Sequence, residues 1–221
     1  MIDPAREELI QIYNILLDHF GPLDWWPGET PFEVMIGAIL TQNTAWSNVE
    51  KAISALQAEN MLSPQAIVKA DMRKLKRLIR PSGYFNQKAL RLKDYTRFYI
   101  KEYCGSVERM AAQDTALLRA KLLAVKGIGP ETADSILLYA LDKPVFVVDA
   151  YTRRAFSRLG FLPPEVDYHT TQEFFTSHLP CDVPLYNDFH AQIVYLCKDY
   201  CKSKPRCVEC PLVVLARCKV D

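Results

Sequence analysis

Val125-Lys126-Gly127-Ile128-Gly129-Pro130-Glu131-Thr132-Ala133 is the stretch on which the reading of the fold turns. Gly127 and Gly129 allow positive φ and close approach of the backbone, and Pro130 suits the first position of a helix. The N–H groups of such a helix start face forward, where a phosphate oxygen can accept them. Leu122, Leu123, Ala124 and Val125 precede the turn, and Ala133, Ile136, Leu137 and Leu138 follow it. These apolar runs predict two helices joined by the glycine turn, a helix–hairpin–helix. A lone Gly-x-Gly is also an ordinary way to cap a helical turn, so the surroundings have to decide.

Downstream, Val145-Phe146-Val147-Val148 ends at Asp149, and Ala150-Tyr151-Thr152-Arg153-Arg154 starts another predicted helix. An aspartate there can cap the helix and still present a carboxylate. With these residues the chain resembles the helix–hairpin–helix DNA glycosylases of the endonuclease III family, over most of its length from about Trp25 to Cys218. The resemblance implies an all-α fold of two helical domains. One is a six-helix barrel with the hairpin, placed at 28–142; the other is built from 1–27 and 143–221 and carries a C-terminal iron–sulfur loop. It also implies a cleft with the hairpin on one side and Asp149 at its base.

Net charge is only +1, so a case for nucleic acid rests on distribution. Residues 1–35 hold seven acidic side chains against Arg6 alone, whereas 71–101 hold ten Lys/Arg against Asp71 and Asp94. Beside a phosphate-binding hairpin, that cluster reads as a DNA-facing surface. No apolar stretch is long enough to cross a bilayer, and the N-terminus lacks the form of a signal peptide. A cytoplasmic monomer, nucleoid-associated if the source is prokaryotic, is expected, with double-stranded DNA holding a damaged base as its partner.

Along the chain, Met1–Phe20 reads as a helix ended by Gly21-Pro22, and Trp25-Trp26-Pro27-Gly28 as an interdomain link. Pro31–Leu40 is a central apolar helix running into a polar loop, Thr41–Trp46. Ser63-Pro64 starts a helix, Arg73–Arg80 is basic and amphipathic, and Leu90–Tyr103 and Asp114–Val125 are helical. Pro180–Pro184 reads as loop, and Phe189–Tyr200 as the last helix. By the resemblance, Gln42 probes the gap left by an extruded base, Tyr84 inserts into the duplex, and Lys126, Gly127, Ile128 and Gly129 contact phosphate. Trp25, Trp26 and Trp46 would form the base pocket.

Four of the seven cysteines lie in Cys201-x5-Cys207-x2-Cys210-x7-Cys218. Such a cluster in a cytosolic chain points to metal rather than disulfides. Structural zinc sites commonly show two close pairs, and only one is present here. The family carries a [4Fe–4S] cluster on such a loop, with one close pair flanked by longer gaps. The outer gaps differ from the family's, by one residue fewer and two more, which leaves open the ligand set rather than the cluster: Cys197 could replace Cys201, and zinc is the alternative metal. Lys202, Lys204 and Arg206 would make this loop a DNA contact.

Bifunctional members attack the sugar with a lysine two places after the hairpin's last glycine. Here that residue is Glu131. The expected activity is therefore a monofunctional glycosylase in base excision repair, with Asp149 stabilising the cationic sugar and directing water. The Trp-Trp-Pro link, Leu-Thr-Gln-Asn-Thr and Arg-Pro-Ser-Gly-Tyr-Phe-Asn-Gln-Lys resemble the family's 3-methyladenine branch, although that branch's best-known type lacks the cluster. The alternatives are a glycosylase with AP lyase activity, a mismatch uracil/thymine glycosylase, and a non-catalytic DNA-damage-binding module. An adenine-opposite-oxoguanine specificity is not expected, because the sequence stops at Asp221 without the extra domain those members use.

Overall fold

The computed structural model describes residues 3–23 and 25–218. Met1 and Ile2, expected in the first helix, lie outside them. Among the described residues the chain is helical, with no strand. The α-helices are α1 (Pro4–Phe20), α2 (Pro31–Leu40), α3 (Trp46–Ala58), α4 (Pro64–Lys69), α5 (Met72–Leu78), α6 (Phe85–Tyr103), α7 (Val107–Ala111), α8 (Thr115–Leu123), α9 (Pro130–Ser135), α10 (Ala150–Arg158), α11 (Tyr168–His178) and α12 (Val183–Asp199). None of these is long and apolar enough to cross a membrane. The chain divides into two compact units, one of 1–25 with 144–221, the other of 26–143.

In the 26–143 unit, α2 is the axis. From Phe32 to Leu40 only Glu33 escapes burial, and the helix packs against α3, α6, α9 and the π-turn Ile136–Ala140 that continues α9. A helix apolar on every side has to be surrounded. Thr30 caps it through the Glu33 N–H, and Pro31 fills its first turn. Gly37 leaves room for two aromatic rings: a Cβ there would meet Trp26 Nε1 at 3.3 Å and Trp46 Cη2 at 3.6 Å. Ser63, Asp71 and Asp114 cap α4, α5 and α8 in the same side-chain-to-N–H manner.

Several boundaries differ from expectation. Helix α6 starts at Phe85 rather than Leu90, because Gly83 and Tyr84 turn through positive φ of +68° and +45° and release the helix at once. Helix α12 starts at Val183, with Asp182 as its cap and Pro184 inside its first turn, where a missing N–H costs nothing. Proline there is a start signal rather than loop.

The other unit is assembled on α12, which packs against α1 and α10. Its core is aromatic. Phe146 stacks on Phe175 at 4.1 Å and 6°, and meets Tyr186 edge-on at 5.4 Å. Phe156 and Phe189 close the cluster. All five are buried. Val145–Val148 has no regular secondary structure; its Phe146 carbonyl accepts from Gln172 Nε2 at 2.8 Å. Phe146→Ala should cost about 3–5 kcal/mol, the usual penalty for emptying a packed aromatic site, read as a lower denaturation midpoint.

Candidate DNA-binding and catalytic sites

The hairpin forms as predicted, with α8 and α9 flanking the glycine turn. Its two helices are pinned by a bidentate ion pair, Arg119 Nε to Asp134 Oδ1 at 2.6 Å and Arg119 Nη2 to Asp134 Oδ2 at 3.0 Å, with the carboxylate fully buried. Only Gly127 needs a positive φ, +86°. Gly129 is extended at φ −94° and caps α9, and a Cβ there would point into open space, so its value is room for close approach rather than a special conformation. Ile128 is turned inward: its side chain is buried and its N–H is bonded to Val125 O at 3.0 Å. It plugs the turn, leaving Lys126, Gly127 and Gly129 as the accessible parts. Lys126 and Glu131 are both exposed.

Gln42 is tied to this turn. Its Nε2 donates to Gly127 O at 3.1 Å and to Thr132 Oγ1 at 2.9 Å, while Arg91 Nη1 donates to its Oε1. Arg91 also lies over Gly127, where a Cβ would meet its Cγ and Nε at 2.6 Å. Arg91 and Thr132 were not singled out from the sequence. Nothing in composition distinguishes Arg91 from its neighbours, though its spacing of three from Lys88 puts the two on one face of α6. Tyr84 projects outward, 66% exposed, from a left-handed backbone.

The basic run 71–101 is not wholly a surface. Lys93 donates to Val68 O at 3.1 Å and to Ala70 O, and Lys88 donates to Leu40 O at 2.8 Å and Ser82 O at 2.6 Å. Both are buried. These two charges are spent on helix-end carbonyls, which lack intrahelical partners, and cannot meet DNA.

The three tryptophans divide. Trp26 and Trp46 meet edge-on at 4.9 Å, and Trp26 also packs on Tyr139 at 5.1 Å. They line a groove of about 430 Å³ whose walls carry Glu29, Glu33 and Glu50. Burial, with the charge of Glu29, raises the Glu33 pKa. The Trp46 indole N–H is buried and, among the described residues, has no hydrogen-bond partner. Trp25 belongs to the other unit, packed on Tyr195 at 6.4 Å with the Lys198 ammonium 5.7 Å from its ring. A single three-tryptophan pocket is thus not built within either unit.

Asp149 caps α10. Its Oδ1 accepts from Thr152 N at 2.7 Å and Thr152 Oγ1 at 2.9 Å. The second oxygen, Oδ2, lies 3.7 Å from His190 Nε2, and the side chain keeps 15% exposure. Burial lowers the His190 pKa against the pull of Asp149, which favours a neutral imidazole. His190 was not anticipated: on α12 it shares the buried stripe of Tyr186, Phe189, Ile193 and Cys197, and helical spacing marks it only as interior.

Beyond α12, Cys201, Cys207, Cys210 and Cys218 line one cavity of about 280 Å³, with Ala155, Leu159, Leu196 and Leu212 among its apolar walls. Cys197 is not part of that lining; its Sγ faces Tyr151 O at 3.5 Å. Arg154 Nε donates to Cys201 O at 2.8 Å, and Arg158 donates to Lys202 O, Ser203 O and the Cys201 sulfur. A hydrogen bond from Cys197, helped by both arginines, lowers the Cys201 pKa. Among the described residues no three His, Cys, Asp or Glu side chains converge tightly enough for a single metal ion. Lys202, Lys204 and Arg206 are exposed, Arg206 being paired with Glu209.

The family model for HhH-GPD superfamily base excision DNA repair proteins matches residues 36–181. The chain belongs to that superfamily. A Methanocaldococcus jannaschii protein provisionally named a DNA repair glycosylase is 51% identical over 93% of this chain and 94% of its own length. Endonuclease III of Thermotoga maritima is 32% identical over 81% and 79%. Among solved structures, the H. pylori 3-methyladenine DNA glycosylase bound to 1,N6-ethenoadenine superposes with a TM-score of 0.74 at 33% identity, covering 86% of this chain and 95% of that one. An endonuclease III–DNA complex gives 0.82 at 21% identity over 99% and 96%, a likeness of fold. The protein is accordingly a DNA-binding glycosylase of base excision repair within the endonuclease III family.

Burial, with Arg91 nearby, pushes the Lys88 pKa from 10.5 down to about 8. The unfolded chain holds that proton more tightly, so this group makes stability rise as pH climbs from about 8 to about 10.5. Melting curves of wild type and Lys88→Met across that window should diverge with pH in favour of wild type.

Proposed function

We propose that this glycosylase removes an alkylated, cationic purine from double-stranded DNA by hydrolysis and leaves the abasic strand uncut. The observation that carries this reading is the groove of Trp26 and Trp46 edged by Glu29, Glu33 and Glu50. Aromatic faces attract cations, and nearby carboxylates add a field of the same preference. A neutral base gains less from either. The likeness to the H. pylori 3-methyladenine glycosylase supports the same class.

Excision requires the target nucleotide to leave the stack. In this reading the amides around Gly127 and Gly129, with Lys126, hold phosphate, while Gln42 and Tyr84 occupy the disrupted duplex. Asp149 acts on the sugar. Its Oδ1 remains bonded to Thr152, which fixes the carboxylate, and Oδ2 stabilises positive charge developing on the deoxyribose and orients the attacking water. Glu131 cannot form an imine, so no covalent sugar adduct arises at the position where lyases carry lysine.

Cys201, Cys207, Cys210 and Cys218 suit a [4Fe–4S] cluster: four thiols line one hollow of the right character, with apolar walls and two arginines bonded to the loop. Bound there, the cluster supplies four iron–thiolate cross-links to the loop that presents Lys202, Lys204 and Arg206, and no step of the hydrolysis.

A panel of duplexes, each with one lesion, tests the substrate class: release of 3-methyladenine or 7-methylguanine well above uracil or thymine is expected, and the reverse order refutes it. Asp149→Asn should lower excision by about 10²-fold or more while DNA affinity persists, as for loss of a preorganised electrostatic group. A pure damage-binding module would show no excision to lose. Borohydride on abasic-site DNA should trap no wild-type adduct; efficient capture would make the enzyme a lyase. Purified protein should contain iron and acid-labile sulfide in equal amounts, lost in Cys201→Ala and kept in Cys197→Ala. Zinc in their place would overturn the assignment.

A further inference from the structure

Lys88 has no access to solvent, yet its ammonium is aimed at two backbone carbonyls from different segments, Leu40 O at 2.8 Å and Ser82 O at 2.6 Å. Filling that volume with an apolar side chain would avoid taking a charge out of water, so the charge needs a reason. The acceptors suggest one. Leu40 is the last residue of α2, and Ser82 ends the short 3₁₀ turn Arg80–Ser82. Two residues past the first acceptor is Gln42, and two residues past the second is Tyr84.

The contact with the Tyr84 segment is made on both sides. The Lys88 side chain holds Ser82 O, and its own N–H donates to Tyr84 O at 3.0 Å, so one residue brackets the Gly83–Tyr84 pair. Tyr84 is a non-glycine residue at φ +45° with its ring mostly in solvent. Such a conformation persists only where its surroundings over-determine it. One turn on along α6, Arg91 holds Gln42 Oε1 and covers Gly127, extending the same helix face to the hairpin turn.

We infer that Lys88 is a positioning residue for base extrusion, fixing the Gln42 and Tyr84 segments at a set separation so that both side chains enter the duplex together, with Arg91 securing Gln42 to the hairpin. The inference rests on reading Gln42 and Tyr84 as duplex-penetrating residues. Its physical content is pre-organisation. The separation of the Gln42 and Tyr84 segments is set by one buried ammonium rather than by two independent loops, so the entropy of ordering them is lost on folding and not again on DNA.

The test is a duplex holding a tetrahydrofuran abasic-site analogue with 2-aminopurine opposite it, whose fluorescence reports unstacking without any catalytic step. Wild type should brighten it, and Gln42→Ala and Tyr84→Ala should each reduce the brightening. Lys88→Met, which keeps the aliphatic stem, should reduce it by about twofold or more, yet add little when combined with Gln42→Ala and Tyr84→Ala together, the mark of residues acting through one another. Arg91→Met, at a partly exposed site, serves if Lys88→Met does not fold: its effect should vanish in Gln42→Ala and remain in Tyr84→Ala. Full brightening in folded Lys88→Met, or effects that multiply independently in either cycle, would sink the proposal. If Gln42→Ala and Tyr84→Ala leave the signal untouched, the penetrating-residue reading has failed first, and this inference goes with it.

Discussion

The hydrogen bond from the Thr152 N–H to Asp149 is the constraint on which the 144–221 segment depends. It starts α10 and at the same time fixes the carboxylate, so helix formation and site formation are one event. The helix then does three things. Ala155 and Phe156 enter the core, Arg154 and Arg158 reach the carbonyls of the cysteine loop, and Ala155 with Leu159 walls the cysteine cavity. A carboxylate free to rotate would serve none of these. Because a cap consumes one oxygen and leaves the other, Asp149 can be rigid and still reactive.

The 26–143 unit solves a related problem with a positive charge. Its polar segments all begin where helices stop: Gln42 after α2, Tyr84 before α6, Gly127 between α8 and α9. Helix ends expose unpaired carbonyls, and burying those ends demands donors. Lys88 and Lys93 are those donors for four such carbonyls. The cost of burying an ammonium is real, as the lowered Lys88 pKa records, and it is offset by the two carbonyls that Lys88 satisfies.

How much of this was legible follows from what each signal encodes. The apolar run 31–40 and the glycine turn at 127–129 report local geometry, and both appear in the structure as read. Asp149 as a helix cap was equally local. The failures are tertiary. Charge in a sequence reads as surface, so Lys88 and Lys93 were assigned to a DNA-facing cluster, whereas their partners lie up to 48 residues away and carry no sequence mark. Trp25 and Trp26 are adjacent and look equivalent, yet the division of the chain falls between them. Ile128 sits in a motif whose backbone matters, and motif membership conceals that its side chain is a plug. Arg91 matters through Gln42 and Gly127, and His190 through Asp149, contacts that no periodicity announces.

The chemistry proposed for Asp149 has to agree with its surroundings. One oxygen of Asp149 is held by Thr152, burial of the neighbouring His190 lowers its pKa, and position 131 offers a glutamate rather than a lysine to trap the sugar. A purine already carrying positive charge leaves as a neutral base, so what Asp149 has to supply in the proposed reaction is stabilisation of the sugar cation. In the proposed reading the acidic aromatic groove of Trp26 and Trp46 would select that charge on binding, and Asp149 would exploit it on release.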